Sequence, residues 1–177
     1  MRKTTTLALL ATGLIALGCG SGAADKASDS SSDKAGAKAE DKAAKTAKVG
    51  EAARDGKFEF TVKSAKCGVA KVGSEPLGQK AQGQFCLVTV NVKNIGKEAQ
   101  MFDGSSQKAY AADGTEYSAD TGAAIYANKN AETFLNDINP GNQVTGVVVF
   151  DIPKNVKLTK LELHDSMFSG GVDVALS

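Results

Sequence analysis

From Lys57 onward, apolar and polar residues alternate with a period of two. In "KFEFTVKS", Phe58, Phe60 and Val62 point one way, and Glu59, Thr61 and Lys63 the other. In "CLVTVNVKN", Cys86, Val88, Val90 and Val92 share a face opposite Leu87, Thr89, Asn91 and Lys93. Such alternation marks half-buried antiparallel strands, because successive side chains of a strand leave on opposite faces. "QVTGVVVFDIP" is a denser apolar run closed by Pro153, which cannot continue a central strand. "LTKLELHD" and "GGVDVALS" alternate again, with Leu161 and Leu163, then Val172, Val174 and Leu176, on one face. Turn signals separate the runs: Asn94-Ile95-Gly96, Asp113-Gly114, Asn139-Pro140-Gly141 and Gly170-Gly171. Short strands punctuated in this way, without periodic helices between them, predict an all-β fold, an antiparallel β-sandwich with Greek-key connections. Residues 118–137 read either as a short helix or as a long loop ending in a strand around Phe134 and Leu135.

The pattern upstream is different. Arg2 and Lys3 precede an uncharged stretch, Thr4 to Gly18, whose apolar core from Leu7 to Leu17 is too short to span a bilayer comfortably. A basic start, a short apolar core and small residues at its end describe a secretory signal peptide. It ends on Ala16-Leu17-Gly18-Cys19, which resembles the bacterial lipobox, with Ala16 where that motif usually has Leu. The resemblance implies that residues 1–18 are removed and that Cys19 is acylated, two chains on one residue giving stable anchoring. Residues 19–53 are rich in Ala, Ser, Lys, Asp and Gly, with no Leu, Ile or aromatic. That composition cannot bury enough apolar area to offset the entropy of ordering, so the segment is expected to be a disordered linker. Its reach of ~30 Å would lift a domain off a membrane surface. Residues 54–177 then form the β-sandwich.

The strands carry a resemblance. "FCLVTVNVKNIGKEA", a "DG" turn followed by a tyrosine, and "INPGNQVTGVVVFDIP" are similar to a family of bacterial lipoprotein domains of unknown function. The resemblance implies an immunoglobulin-like fold, related to the secreted immunoprotective antigen of mycobacteria, and an address outside the cytoplasm. It implies no catalytic residues.

Composition narrows the chemistry. The whole chain has 21 basic and 20 acidic residues, and loss of Arg2 and Lys3 leaves 21 − 2 = 19 basic. A near-neutral chain argues against a nucleic-acid partner. Of three cysteines, Cys19 belongs to the lipobox; Cys67 and Cys86 are expected to form a disulfide in an oxidising compartment. It would close a Gly- and Gln-rich loop of about 20 residues, worth about 3 kcal/mol in a chain-entropy model. Cys67 has the opposite parity to Phe58, Phe60 and Val62, so a bulge or the end of the strand must intervene. A redox or metal-binding pair is the alternative, disfavoured by the long spacing and the lack of further ligands.

His164, the one histidine, alternates with Leu161 and Leu163 and is expected on the outer face beside Glu162. A lone histidine, without a nucleophile elbow or a metal cluster, argues against an enzyme. No P-loop, dinucleotide fingerprint or calcium loop is present, and no cofactor or metal is expected. Tyr110, Tyr117, Tyr126 and Phe134 lie in or near the ambiguous middle region. They are either a recognition surface displayed by a rigid sandwich or plugs for its open end. The leading functional reading is a membrane-anchored binding module facing outside the cytoplasm, held to the bilayer by acylated Cys19, with an envelope protein or another extracytoplasmic ligand as partner. The alternative is a structural, envelope-maintenance lipoprotein that binds nothing small.

Overall fold

A computed structural model describes residues 46–130 and 133–176. The expected signal peptide, Cys19 and the expected linker up to residue 45 lie outside the described residues.

The alternating segments form two sheets. One contains β2 (Ala52–Asp55), β3 (Phe58–Gly73), β4 (Gly78–Asn94) and β7 (Gln143–Ile152), in the order β2-β3-β4-β7. The other contains β1 (Ala47–Lys48), β9 (Val172–Ala175), β8 (Leu158–Leu163), β5 (Lys108–Ala111) and β6 (Glu116–Ser118), in that order. All pairings are antiparallel except β1 with β9, which run parallel. The antiparallel β-sandwich expected from the strand pattern, immunoglobulin-like as the family resemblance implies, is therefore the fold.

The core between the sheets is built from the expected faces. Phe58, Phe60, Val62, Val88, Val90 and Val92 meet Leu161, Leu163 and Val174, all buried. Phe102 joins them from the connection after β4, its ring 6.2 Å from that of Phe58 and 6.0 Å from that of Phe60. A second, smaller core lies on the outer face of the β2-β3-β4-β7 sheet, where Phe85, Val72 and Val149 pack under Ala123. Phe85 and Val149 alternate with Cys86 and Phe150, so this strand pair is apolar on both faces. The helix α1 (Thr121–Ala127) supplies the cover. Asp120 caps it, its carboxylate accepting the Ala123 N–H at 2.8 Å, which satisfies one of the free donors of the first turn.

Three expectations change. The linker does not extend to residue 53: residues 47–48 and 52–55 are strands, and Ala47 and Ala53 are buried. Composition misleads here because alanine is small enough to lie between sheets while contributing little to apparent hydrophobicity. The segment between the cysteines is not a loop but the paired ends of β3 and β4, which turn at 74–77. Of the two readings of 118–137, the helix is observed; Phe134 and Leu135 sit in a turn, not a strand.

Cys67 and Cys86 are bridged, with Cα atoms 3.9 Å apart on the adjacent strands β3 and β4. The parity conflict is resolved by bulges. Lys66 pairs with Leu87 and Val69 with Phe85, so Cys67 and Gly68 together face Cys86. An earlier irregularity between Val62 and Ser64 has already shifted the alternation.

A candidate binding cleft

Among the described residues, no three His, Cys, Asp or Glu side chains are placed to hold a metal ion. The feature suited to holding a ligand is apolar. The chain leaves β4, pairs briefly at Gln100 with Ile138, and crosses towards the other sheet through Met101–Gly104. The chain after α1 turns back at 133–135 against the edge strand β7. Between α1 and these two segments lies a cleft of about 230 Å³, lined by Phe102, Ile125, Phe134, Leu135 and Met101 among others.

Phe134 forms its floor. The ring packs 4.7 Å from that of Phe102 and lies over Gly146, where a Cβ would come within 2.4 Å of the ring edge. Glycine is therefore needed in the otherwise valine-rich β7. Asn128 fixes the same edge: its side chain accepts the Val147 N–H at 2.8 Å and donates to the Val147 carbonyl at 2.9 Å. This imitates a neighbouring strand and covers part of an open sheet edge. The Asp120 N–H donates to the Val149 carbonyl two residues further on.

The Asp103 and Asn128 side chains of the cleft are already engaged. Asp103 accepts from the N–H and hydroxyl of Ser105 and from the Ser106 hydroxyl. Partial burial pushes the Asp103 carboxyl up, but these hydrogen bonds outweigh it and hold the group below the usual carboxylate range. Asn128 is spent on β7 and on the Ala124 carbonyl. A ligand here would be held by apolar contact, and Met101, Ile125 and Leu135 are exposed around the cleft.

The four aromatic residues singled out in the sequence do not form one surface. Phe134 is in the cleft, and Tyr126 is exposed one residue beyond Ile125 on α1, against Gly73 at the end of β3. Tyr117 pairs with Ala109 and packs partly buried against the core, the plug role. Tyr110 is on the outer face of the other sheet, where its hydroxyl donates to Glu116 at 3.0 Å and the Lys160 ammonium lies 4.4 Å over its ring. Burial raises the Tyr110 pKa, and the hydrogen bond to Glu116 and the charge of Glu162 add to it. Lys108 in turn pairs with Glu116 at 2.9 Å and holds the Glu116 carboxyl below its usual value.

His164 is not on the surface. It is 8% exposed, because the chain after β8 folds back over it. Its ring contacts Glu162 Oε1 at 2.8 Å and the Ser169 carbonyl at 3.3 Å. Gly171, at φ +71°, lies so close that a Cβ would sit 2.6 Å from the ring. The His164 backbone is clamped by Gln107, whose amide accepts the N–H at 2.9 Å and donates to the carbonyl at 3.0 Å. Parity placed the ring on the outer face; the loop that covers that face was not legible from the pattern.

The family model for a domain of unknown function, DUF4352, matches residues 47–174. The chain belongs to the DUF4352 family. The match begins at β1 and ends in β9, so family and fold share their limits. Among curated proteins, the uncharacterized protein YxkC of Bacillus subtilis is 32% identical over 117 residues, covering 62% of this chain and 64% of its own length, short of two thirds. The yjhA protein of Bacillus subtilis superposes on this DUF4352 domain with a TM-score of 0.55, at 16% identity, covering 75% of this chain and 100% of that one. The secreted protein MPT63 of Mycobacterium tuberculosis gives 0.54 at 19% identity, covering 73% and 95%. Both support the β-sandwich as the fold of the DUF4352 domain.

Proposed function

We propose that this chain is a lipid-anchored, extracytoplasmic binding module whose DUF4352 sandwich takes up an apolar group in the cleft over Phe134. The anchor rests on the lipobox-like ending at Cys19 and the short apolar run before it. A disulfide between Cys67 and Cys86 suits a compartment where such bonds persist. The observation that carries the binding reading is the cleft itself. Its lining is mostly apolar, its Asp103 and Asn128 side chains are internally satisfied, and large side chains stand exposed at its rim although the core does not need them there.

Two measurements test the two halves. When the full chain is produced in a bacterium, Cys19→Ala should move it from the membrane to the soluble exported fraction; retention at the membrane contradicts the anchor. A photoreactive amino acid in place of Ile125 should give a discrete adduct in intact cells. The same group in place of exposed Lys154, outside the cleft, should not. Equal yields at both positions contradict the cleft as a binding site.

A further inference from the structure

The largest exposure of an apolar side chain among the described residues is not at the cleft. Phe168 is 91% exposed and Met167 69%, side by side between β8 and β9. They occupy the middle of a closed turn. The Ser169 N–H donates to the Ser166 carbonyl at 3.0 Å, and the Ser169 hydroxyl donates to the same carbonyl at 2.9 Å. The turn is braced at its base. The Asp165 N–H donates to Asp55 at 2.7 Å, the Lys57 N–H donates to Asp165 at 3.3 Å, and the His164 ring packs under Ser169 and Gly171. Positions in the middle of a turn ordinarily take small or polar residues. Here a fixed turn holds two large apolar side chains away from the protein.

The topology says what they face. Because β1 runs parallel to β9, with Ala47 beside Val174, the chain enters the sandwich at the end where β9 starts. That end carries the 164–171 turn, and also Ile95, 40% exposed, whose N–H donates to the Lys57 carbonyl. The described chain therefore begins, at Thr46, at the end that displays Met167 and Phe168, and Cys19 lies upstream of that point in the sequence. We infer that this end is a membrane-contact surface, with Met167 and Phe168 entering the outer boundary of the bilayer and Ile95 at its margin. The inference rests on the anchored reading only for the identity of the surface nearby.

Charged residues at this end include Lys57 and Lys97, outnumbered by Asp55, Glu98, Asp137 and Asp165. They provide no attraction to anionic headgroups, so contact depends on apolar insertion. Two side chains alone hold a protein on a bilayer weakly. A tether to the same membrane raises the effective concentration enough for weak insertion to fix the orientation of the domain.

The chain contains no tryptophan, so a single introduced one reports without background. The chain from residue 19, with Cys19→Ala and an N-terminal histidine tag, is bound to phosphatidylcholine vesicles containing a nickel-chelating lipid. Tethering is then imposed, and the outcome does not depend on acylation. Phe168→Trp should show blue-shifted emission and be quenched by brominated lipid at least about twofold more than Ala112→Trp, because indole favours the bilayer interface. Ala112 is exposed at the opposite end of the sandwich, beyond β5. Adding phosphatidylglycerol should not strengthen the effect. Equal quenching at the two positions, or none at Phe168→Trp, overturns the inference. So does a concentration-dependent blue shift without lipid, which would assign the turn to a second copy of the chain.

Discussion

His164 shows how a single side chain can be misjudged by parity. The alternation of "LTKLEL" is obeyed through Leu163, and the next residue should have faced water. It is buried because Gln107, the residue before β5, clamps its backbone and the 165–171 turn covers its ring. Nothing near His164 in the sequence signals that partnership. Gln107→Leu keeps the volume but leaves the His164 N–H and carbonyl without partners, so chemical denaturation should register a loss of about 2 kcal/mol or more. A change under about 0.5 kcal/mol, as at an exposed site, would contradict the clamp. Tyr110 makes a separate prediction. Its pKa is raised above the ordinary 10.0 by burial first and by Glu116 second. The stabilisation is complete below pH 10.0 and is lost as pH rises, because the unfolded tyrosine then ionises and the folded one does not. Tyr110→Phe should flatten the fall in stability on the alkaline side; an unchanged slope would show that Tyr110 does not cause it.

Elements were legible where period two was clean. The first half of β3, the second half of β4 and β7 to β9 lie where the alternation placed them, and the apolar run over Val147–Phe150 proved dense because it is covered on both faces. The helix had a readable start, Asp120 before an alanine-rich stretch, but no apolar stripe long enough to declare it. β1 and β2 were hidden by their small, polar composition. The edge of β7 gives the element-scale test. Gly146→Ala should cost about 1–3 kcal/mol through overlap with the Phe134 ring. Adding Phe134→Ala should recover part of that cost, because the double variant no longer contains the overlap. Strictly additive losses in a double-mutant cycle would mean that the ring does not lie over Gly146. The disulfide joins strands already paired, so its contribution should come from the unfolded chain. Reduction should lower stability by about 2–4 kcal/mol without loss of strand signal in circular dichroism. Loss of the folded β3–β4 arm on reduction would contradict that origin.

At the scale of the whole molecule, the sequence indicated a sandwich and a candidate aromatic surface that the structure does not assemble. The cleft joins Met101 and Phe102, which follow β4, to Ile125 on α1 and to Phe134 beyond it. Phe134 was noticed as an aromatic, but its partners are distant in sequence, and residues of the connection after β4 carry no periodic signal. Tyr110, Tyr117 and Phe134 looked alike in the sequence, yet one is on an outer sheet face, one is packed on the core and one is in the cleft. Two apolar features are lined by different residues. The cleft opens beside the β7 edge, while Met167 and Phe168 stand at the end where the chain enters the sandwich. A module working at a membrane could use one for its ligand and the other for its orientation.

Methionine separates the two in one measurement. The chain has three, and from residue 19 onward it keeps two: Met101 at the cleft and Met167 at the turn. With methyl-labelled methionine, the NMR spectrum of that chain should contain two reporter signals. Envelope extract from a bacterium that makes the protein should shift or broaden the Met101 signal in a saturable way, and Ile125→Asp should abolish the response. A Met101 signal that stays in place through the titration, or one that moves equally in the Ile125→Asp variant, would contradict the claim that this domain binds through its cleft.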